Sequence, residues 1–400
     1  MKRFLGSRIG KLSWLVCLAG LLPMGLYAWQ DGPSEALILQ GQQAIYRLDF
    51  EGAGKTFQRL IDEYPDHPAG YGMYTNVTLN RLLFAAKNLA LDDYATPTPF
   101  FKQPTYKPIG PARKRFVESV DRLIQVCDRR LERNPRDALA LYFKGFAYEN
   151  LASEALAVRK STGAAQNLGK KARIFHEQAL LIDPSLVDAN TSIAVYEFAA
   201  ATLPWNIKWL AFLLGYRGNK ARALERLNMV AEKGLYRKFD AQVLLALLHA
   251  WKGEPQEAVT IFNRLRQQFP QNFLSDINLA AIYQLSLDDH RSALEVYRQL
   301  LQDIGDKAPG LQAGEVHYRI GKAHLALGQI NQAFSAFEKA VQAPRAELET
   351  LPLAHFQIAQ IHEQRGERAM ALQHYRAVLQ YPGPKRILED ELKKARRKVR

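Results

Sequence analysis

Residues 253–270 read GEPQEAVTIFNRLRQQFP. Ala258 stands four residues before an aromatic ring, Phe262. Gly253 stands five before the alanine, and Pro270 stands eight after the ring. The alanine–ring pair recurs at Ala53/Phe57, Ala293/Tyr297, Ala333/Phe337 and Ala371/Tyr375, and at Ala172/His176 with histidine in the ring position. Turn formers precede these pairs at Asp288, Gly328 and Gly366, and Gly218 stands likewise before Ala223. Prolines follow at Pro65 and Pro184, and Pro135 keeps the same distance from Cys127. The period is near 34 to 40 residues.

A spacing of four puts the small and the large residue on one helical face. The alanine lets a second helix approach, and the ring fills the space beside it. Glycine ends the preceding helix in a left-handed turn, and proline stops the second helix. Each unit is then a helical hairpin that buries its apolar face only by stacking on its neighbours. The sequence predicts an all-α fold.

These residues resemble the tetratricopeptide repeat family. Residues 244–270 carry the pattern in Leu245, Ala246, Gly253, Ala258, Phe262, Leu265 and Pro270. Residues 317–344 carry it in Gly321, Gly328, Ala333, Phe337 and Ala340, and residues 355–382 in Ala359, Gly366, Ala371, Tyr375 and Pro382. A first unit at 35–65 has Leu37, Gly41, Ala53, Phe57 and Pro65. The resemblance covers most of residues 35–384 and implies a right-handed α-solenoid of about eight hairpins.

Outside the regular units, the pattern breaks. Residues 1–30 begin with Lys2, Arg3, Arg8 and Lys11, then run apolar from Leu12 to Trp29 with no acid before Asp31. This reads as an export signal, either cut or retained as a membrane tether through residues 12–29. The body is expected outside the cytoplasm, periplasmic or anchored to the inner membrane. Units over 31–136 contain a proline-rich insert, 92–112, with Pro97, Pro99, Pro104, Pro108 and Pro111. Units over 137–236 are degenerate, with a widened centre at 153–169 and an apolar insert at 203–214 around Pro204, Trp205 and Trp209. That insert reads as a longer packed helix or as an exposed apolar surface. Regular units fill 237–384. Residues 385–400 hold eight basic and three acidic residues and read as a cap helix, with a basic patch for polyanions as the other reading.

The chain has 400 residues, 48% apolar and 24% charged, and its 54 basic against 40 acidic residues leave +14. A single core stops growing near ~250–300 residues, so a repeat array suits the length. Two cysteines, Cys17 and Cys127, exclude a disulfide framework and a four-cysteine zinc site. Gly52-Ala53-Gly54-Lys55-Thr56 lacks the first glycine of a phosphate loop and opens a helix rather than following a strand. No nucleophile elbow and no HExxH motif occurs. A non-catalytic chain with no metal and no cofactor is expected, and nucleic acid is not an expected partner. His317/His324 and His355/His362 are pairs seven apart at equivalent places, with His249 at the His324 position of an earlier unit. They read as packing residues, with a pH-sensitive stack as the alternative.

In the resembled family the first helix of each hairpin lines a concave groove. That implies Tyr142, Phe146 and Glu149 in the third unit, and Val243, Leu247 and Trp251 in the fifth. It implies Glu315, Tyr318 and Lys322 in the seventh and Phe356, Gln360 and Glu363 in the eighth. Ile38 and Gln42 hold places where the carboxylate-binding version of the family has Lys and Asn, which argues against recognition of an acidic chain end. The leading expectation is an interaction scaffold of the cell envelope that binds another envelope protein or peptide in the groove. The alternatives are a ligand-binding or enzyme-accessory protein with residues 203–214 closing a pocket, and self-assembly through terminal repeats.

Overall fold

In a computed structural model, the structure describes residues 35–86, 110–202, 218–303, 313–343, 350–381 and 388–399. The export segment and the apolar insert lie outside them, as does most of the proline-rich insert. Eight hairpins follow one another: α1 (Glu35–Tyr46) with α2 (Phe50–Glu63), α3 (Pro68–Ala85) with α4 (Gly110–Arg133), α5 (Ala138–Ala157) with α6 (Thr162–Ile182), and α7 (Asn190–Thr202) with α8 (Lys220–Lys233). Then come α9 (Lys238–Lys252) with α10 (Pro255–Gln268), α11 (Phe273–Ser286) with α12 (His290–Gln302), α13 (Ala313–Ala326) with α14 (Ile330–Gln342), and α15 (Thr350–Gln364) with α16 (Arg368–Leu379). A last helix, α17 (Glu389–Val399), packs on the eighth hairpin through Leu388, Leu392 and Ala395. No strand occurs among the described residues. The architecture is the expected α-solenoid.

The recurring residues do the work that their spacing implies. Ala53, Ala172, Ala223, Ala258, Ala293 and Ala333 are wholly buried, and so are the rings of Phe57, Phe262, Tyr297 and Phe337. The first helix of the hairpin meets the ring with a small residue. A methyl group added at Gly41 would lie 2.2 Å from the Phe57 ring, and one at Gly321 would lie 2.5 Å from Phe337.

The corners share one construction. Gly253, Gly328 and Gly366 have φ of 92°, 70° and 75°, and Asp288 takes the same conformation at 53°. Beyond the glycine, the amide N–H of Glu254, Gln329 and Glu367 reaches back to the carbonyl of His249, His324 and His362, each at 2.9 Å. The side chains close a second loop. His249 Nδ1 bonds Glu254 at 2.9 Å, His324 Nδ1 bonds Gln329 at 2.6 Å, and His362 Nδ1 bonds Glu367. Each histidine thus ties the end of one helix to the start of the next.

Two segments differ from the sequence reading. Helix α4 already begins at Gly110, inside the expected proline-rich insert, because proline is tolerated in a first turn where no N–H partner is needed. The widened centre at 153–169 is mostly helix: α5 runs to Ala157 and α6 starts at Thr162, so the third hairpin is long rather than interrupted.

Substituting Gly321→Val should cost about 1–3 kcal/mol by overpacking against Phe337. Urea unfolding reads this. Adding Phe337→Leu to Gly321→Val should return part of the loss, and a further loss would show that the ring is not what the valine strikes.

Candidate functional site

The inner surface of the first half is closed by the chain itself. The turn between α8 and α9, residues 235–237, is held by Asp188. Its carboxylate accepts from Leu235 N (3.0 Å), Tyr236 N (3.0 Å) and Arg237 N (2.8 Å). Burial pushes the Asp188 carboxyl upward, while these three N–H donors favour its charged form. Tyr236 stacks on Tyr142 at 5.5 Å and meets Phe143 edge-on at 4.9 Å. The Arg237 guanidinium lies 5.0 Å from the centre of the Phe146 ring. It pairs with Glu149 at 2.8 Å and with Asp240 at 3.1 Å. Burial opposes that positive charge, and the two carboxylates more than restore it.

The first hairpin completes the closure. Gln42 Nε2 donates to the Leu235 carbonyl, and the Tyr46 hydroxyl donates to Asp240 at 2.6 Å. The Tyr46 ring lies 5.2 Å from Phe239 and 5.4 Å from Phe269. Phe84 bridges Phe50 (5.7 Å) and Phe273 (6.1 Å). Residues of hairpins one and two therefore sit directly on hairpins five and six.

This places the twelve expected groove residues in different surroundings. Tyr142 and Phe146 are fully buried, packed under Tyr236 and Arg237, and Glu149 is engaged by Arg237. Phe356 is buried beneath α17, with Lys394 Nζ 5.9 Å from its ring centre. Glu363 is exposed, accepts from the Tyr375 hydroxyl at 3.0 Å and pairs with Lys398. Glu315 pairs with Arg319 at 3.0 Å. Val243, Leu247 and Gln360 are half-buried, and Lys322 is exposed. Tyr318 is half-buried, 5.7 Å from Phe337. Trp251 stands apart: it is 48% exposed, and among the described residues its one neighbouring ring is Phe198, at 6.3 Å.

One further residue belongs with it. Leu285 is 58% exposed in the last turn of α11, as Trp251 is in the last turn of α9. Trp251 and Leu285 thus leave apolar side chains exposed at the ends of two successive first helices, a partly apolar ledge; on the next first helix, Tyr318 lies mid-helix and Lys322 about one turn before the end. The sequence reading passed over Leu285 because a leucine in a repeat helix reads as core.

No reactive constellation appears. Cys127 is buried, and burial pushes its thiol up to about 12, so it stays protonated at neutral pH. Among the described residues, no group of three or more His, Cys, Asp or Glu side chains is disposed to hold a metal. No described helix is long and apolar enough to cross a membrane.

Removing Arg237 should be costly, because the half-buried Glu149 and Asp240 would lose their shared counter-charge. Arg237→Met should lower stability by about 3–5 kcal/mol, measured by denaturant unfolding at pH 7.5. The double change Arg237→Met with Glu149→Gln should recover part of it; no recovery would mean that the pair is not coupled.

Among curated protein sequences, none matches the chain. Similar solved structures include the APC/C hetero-tetramer Cut9-Hcn1 (13% identity, 91% of this chain, TM-score 0.46). This chain spans only 56% of the length of that one. They also include PilW, a type IV pilus biogenesis factor (15% identity, 62% of this chain and 94% of that one, TM-score 0.40), and yeast Tom70 (11% identity, 91% and 88%, TM-score 0.40). Sequence models described as tetratricopeptide repeat match residues 35–67, 210–273 and 314–346. With buried Ala293/Tyr297 behind the Asp288 corner and buried Ala371/Tyr375 behind the Gly366 corner repeating the pattern outside those matches, the chain is a tetratricopeptide repeat protein.

Proposed function

We propose that the protein is a non-catalytic interaction scaffold whose partner docks on the ledge marked by Trp251 and Leu285. The observation that carries this reading is the exposure of the Trp251 indole. A large ring left in water on a rigid helix end is the kind of side chain that anchors protein interfaces. Leu285 leaves a second apolar side chain exposed in the next repeat, and Lys322, one repeat further, is exposed and charged. Repeat membership supports a polypeptide partner. The filled interior around Tyr142 and Phe146 argues for docking on the ledge rather than deep in the first half of the groove.

The basic start and the apolar run from Leu12 to Trp29 support export, so the partner is proposed to be an envelope protein. Mass spectrometry of the chain recovered from its native source should find its amino terminus near residue 29, or find residues 1–30 retained in a membrane fraction. A full-length chain recovered from the cytosol would overturn export.

Affinity capture from an envelope extract tests the ledge. Trp251→Ala and Leu285→Ala should each leave the thermal unfolding nearly unchanged and should reduce recovery of the specific partner on the order of ten-fold or more. Tyr318→Ala should have a smaller effect. Equal recovery by all three variants and the native chain would remove the ledge from consideration.

A further inference from the structure

The eighth hairpin gathers its corner histidine, His362, with two histidines that the recurring corner design does not require. His355 and His362 lie two turns apart on α15, and His374 on α16 sits between them. The Nδ1 atoms of His355 and His374 are 2.9 Å apart. The ring of His374 stacks on that of His362, with centroids 5.5 Å apart and planes at 28°. On its other side, His362 meets the Phe334 ring of α14 edge-on at 5.2 Å.

We propose that His355, His362 and His374 form an acid-operated clasp, which holds the last hairpin and its α17 cap closed at neutral pH and loosens them in mild acid. Two Nδ1 atoms at hydrogen-bond distance share a single proton, one ring donating and the other accepting. Protonating the accepting nitrogen leaves two N–H groups facing each other. Protonating the pair elsewhere sets a positive ring against the stacked His362. Either way the contact between α15 and α16 is weakened.

The surrounding charges do not relieve this. Glu367, at the α15–α16 corner, is engaged by His362. On the α14 side, the Arg365 guanidinium lies 4.7 Å from the centre of the Phe334 ring and bonds Asn331, which adds positive charge. From α17, Lys394 lies over Phe356 and Lys398 pairs with Glu363, which also accepts from Tyr375. Among the described residues, no carboxylate reaches ion-pair distance of His355 or His374.

Burial, then the charges of His355 and His362, holds His374 down at about 4, and burial lowers His355 as well. Both lie below the ordinary value of 6.5, so folding favours the neutral rings. Their contribution is complete above about 6.5 and is lost as the pH falls toward about 4. The position amplifies the effect. On the side away from α14, the single helix α17 rather than a full hairpin packs on the eighth hairpin among the described residues, so it opens at lower cost than a hairpin with repeats on both sides. Opening α15 from α16 also removes the floor on which Leu392 and Ala395 of α17 rest.

Hydrogen exchange of the full chain, followed by mass spectrometry at pH 7.5 and pH 5 and corrected for intrinsic rates, tests the clasp. Peptides from residues 350–399 should lose protection on the order of ten-fold, the full effect being reduced because the rings are partly solvated. Peptides from 255–302 should change little. His67 and His176, which burial also holds low, lie in other hairpins and are separated by peptide. His374→Phe keeps a ring for stacking and removes the titration, so its C-terminal pH response should fall to that of the middle repeats. Should that variant not fold, the native histidine resonances decide by NMR. His374 titrating well below 6.5, with C-terminal protection lost over the same range, supports the clasp. Titration at the ordinary value, or an equal pH response in the native chain and His374→Phe, overturns it.

Discussion

The fold depends on one steric pairing: a residue with little or no side chain on the first helix of a hairpin, facing a ring on the second. Gly41 faces Phe57, and Gly321 faces Phe337, with no room for a methyl between them. The pairing fixes how close the two helices lie and buries a ring that neither helix covers alone. The remaining apolar surface of each hairpin must then be shared with the next. The buried alanines extend the same rule between helices. Charge and hydrogen bonding add definition at the corners, where a histidine clips one helix end to the next helix start.

Superimposed on this local rule is a closure that no single repeat specifies. The turn at residues 235–237 reaches the third hairpin, and the first two hairpins reach the fifth and sixth. The polar part of the contact is demanding. Asp188 takes three backbone donors, and Arg237 is held by two carboxylates in a buried setting. Such an arrangement gives little net energy relative to apolar packing but penalises any partial version of itself. It selects one relative placement of the hairpins over neighbouring ones.

Much of the architecture was legible in the sequence because the deciding residues are sterically distinctive. Glycine at a positive φ, proline at a helix end and alanine under a ring have few substitutes, so their spacing reveals the hairpins. The closure was not legible. Gln42, Tyr46, Arg237 and Asp240 are ordinary residues whose meaning comes from contacts across 88, 193 and 194 positions. Tyr142, Phe146 and Glu149 lie on the first helix of their hairpin, yet nothing local indicates that Tyr236 and Arg237 cover two of them and engage the third. His374 was passed over because it stands one residue before the ring position. The sequence does hold a sign of the corner clips: a Glu or Gln follows each of the corner glycines Gly253, Gly328 and Gly366, and a histidine stands four before each.

The aromatic seam of Tyr46, Phe239 and Phe269, continued by Phe50, Phe84 and Phe273, also bears on how the chain reaches this state. An open array of repeats frays from its ends and orders by nearest-neighbour propagation. Here the amino-terminal pair is fastened to the middle of the array, so its assembly waits on segments made much later. Such distant pairings slow ordering because the intervening loop must close first. They also tie the first two hairpins into a core that runs through the fifth, sixth and seventh, so that opening the amino-terminal pair means breaking into the middle of the array.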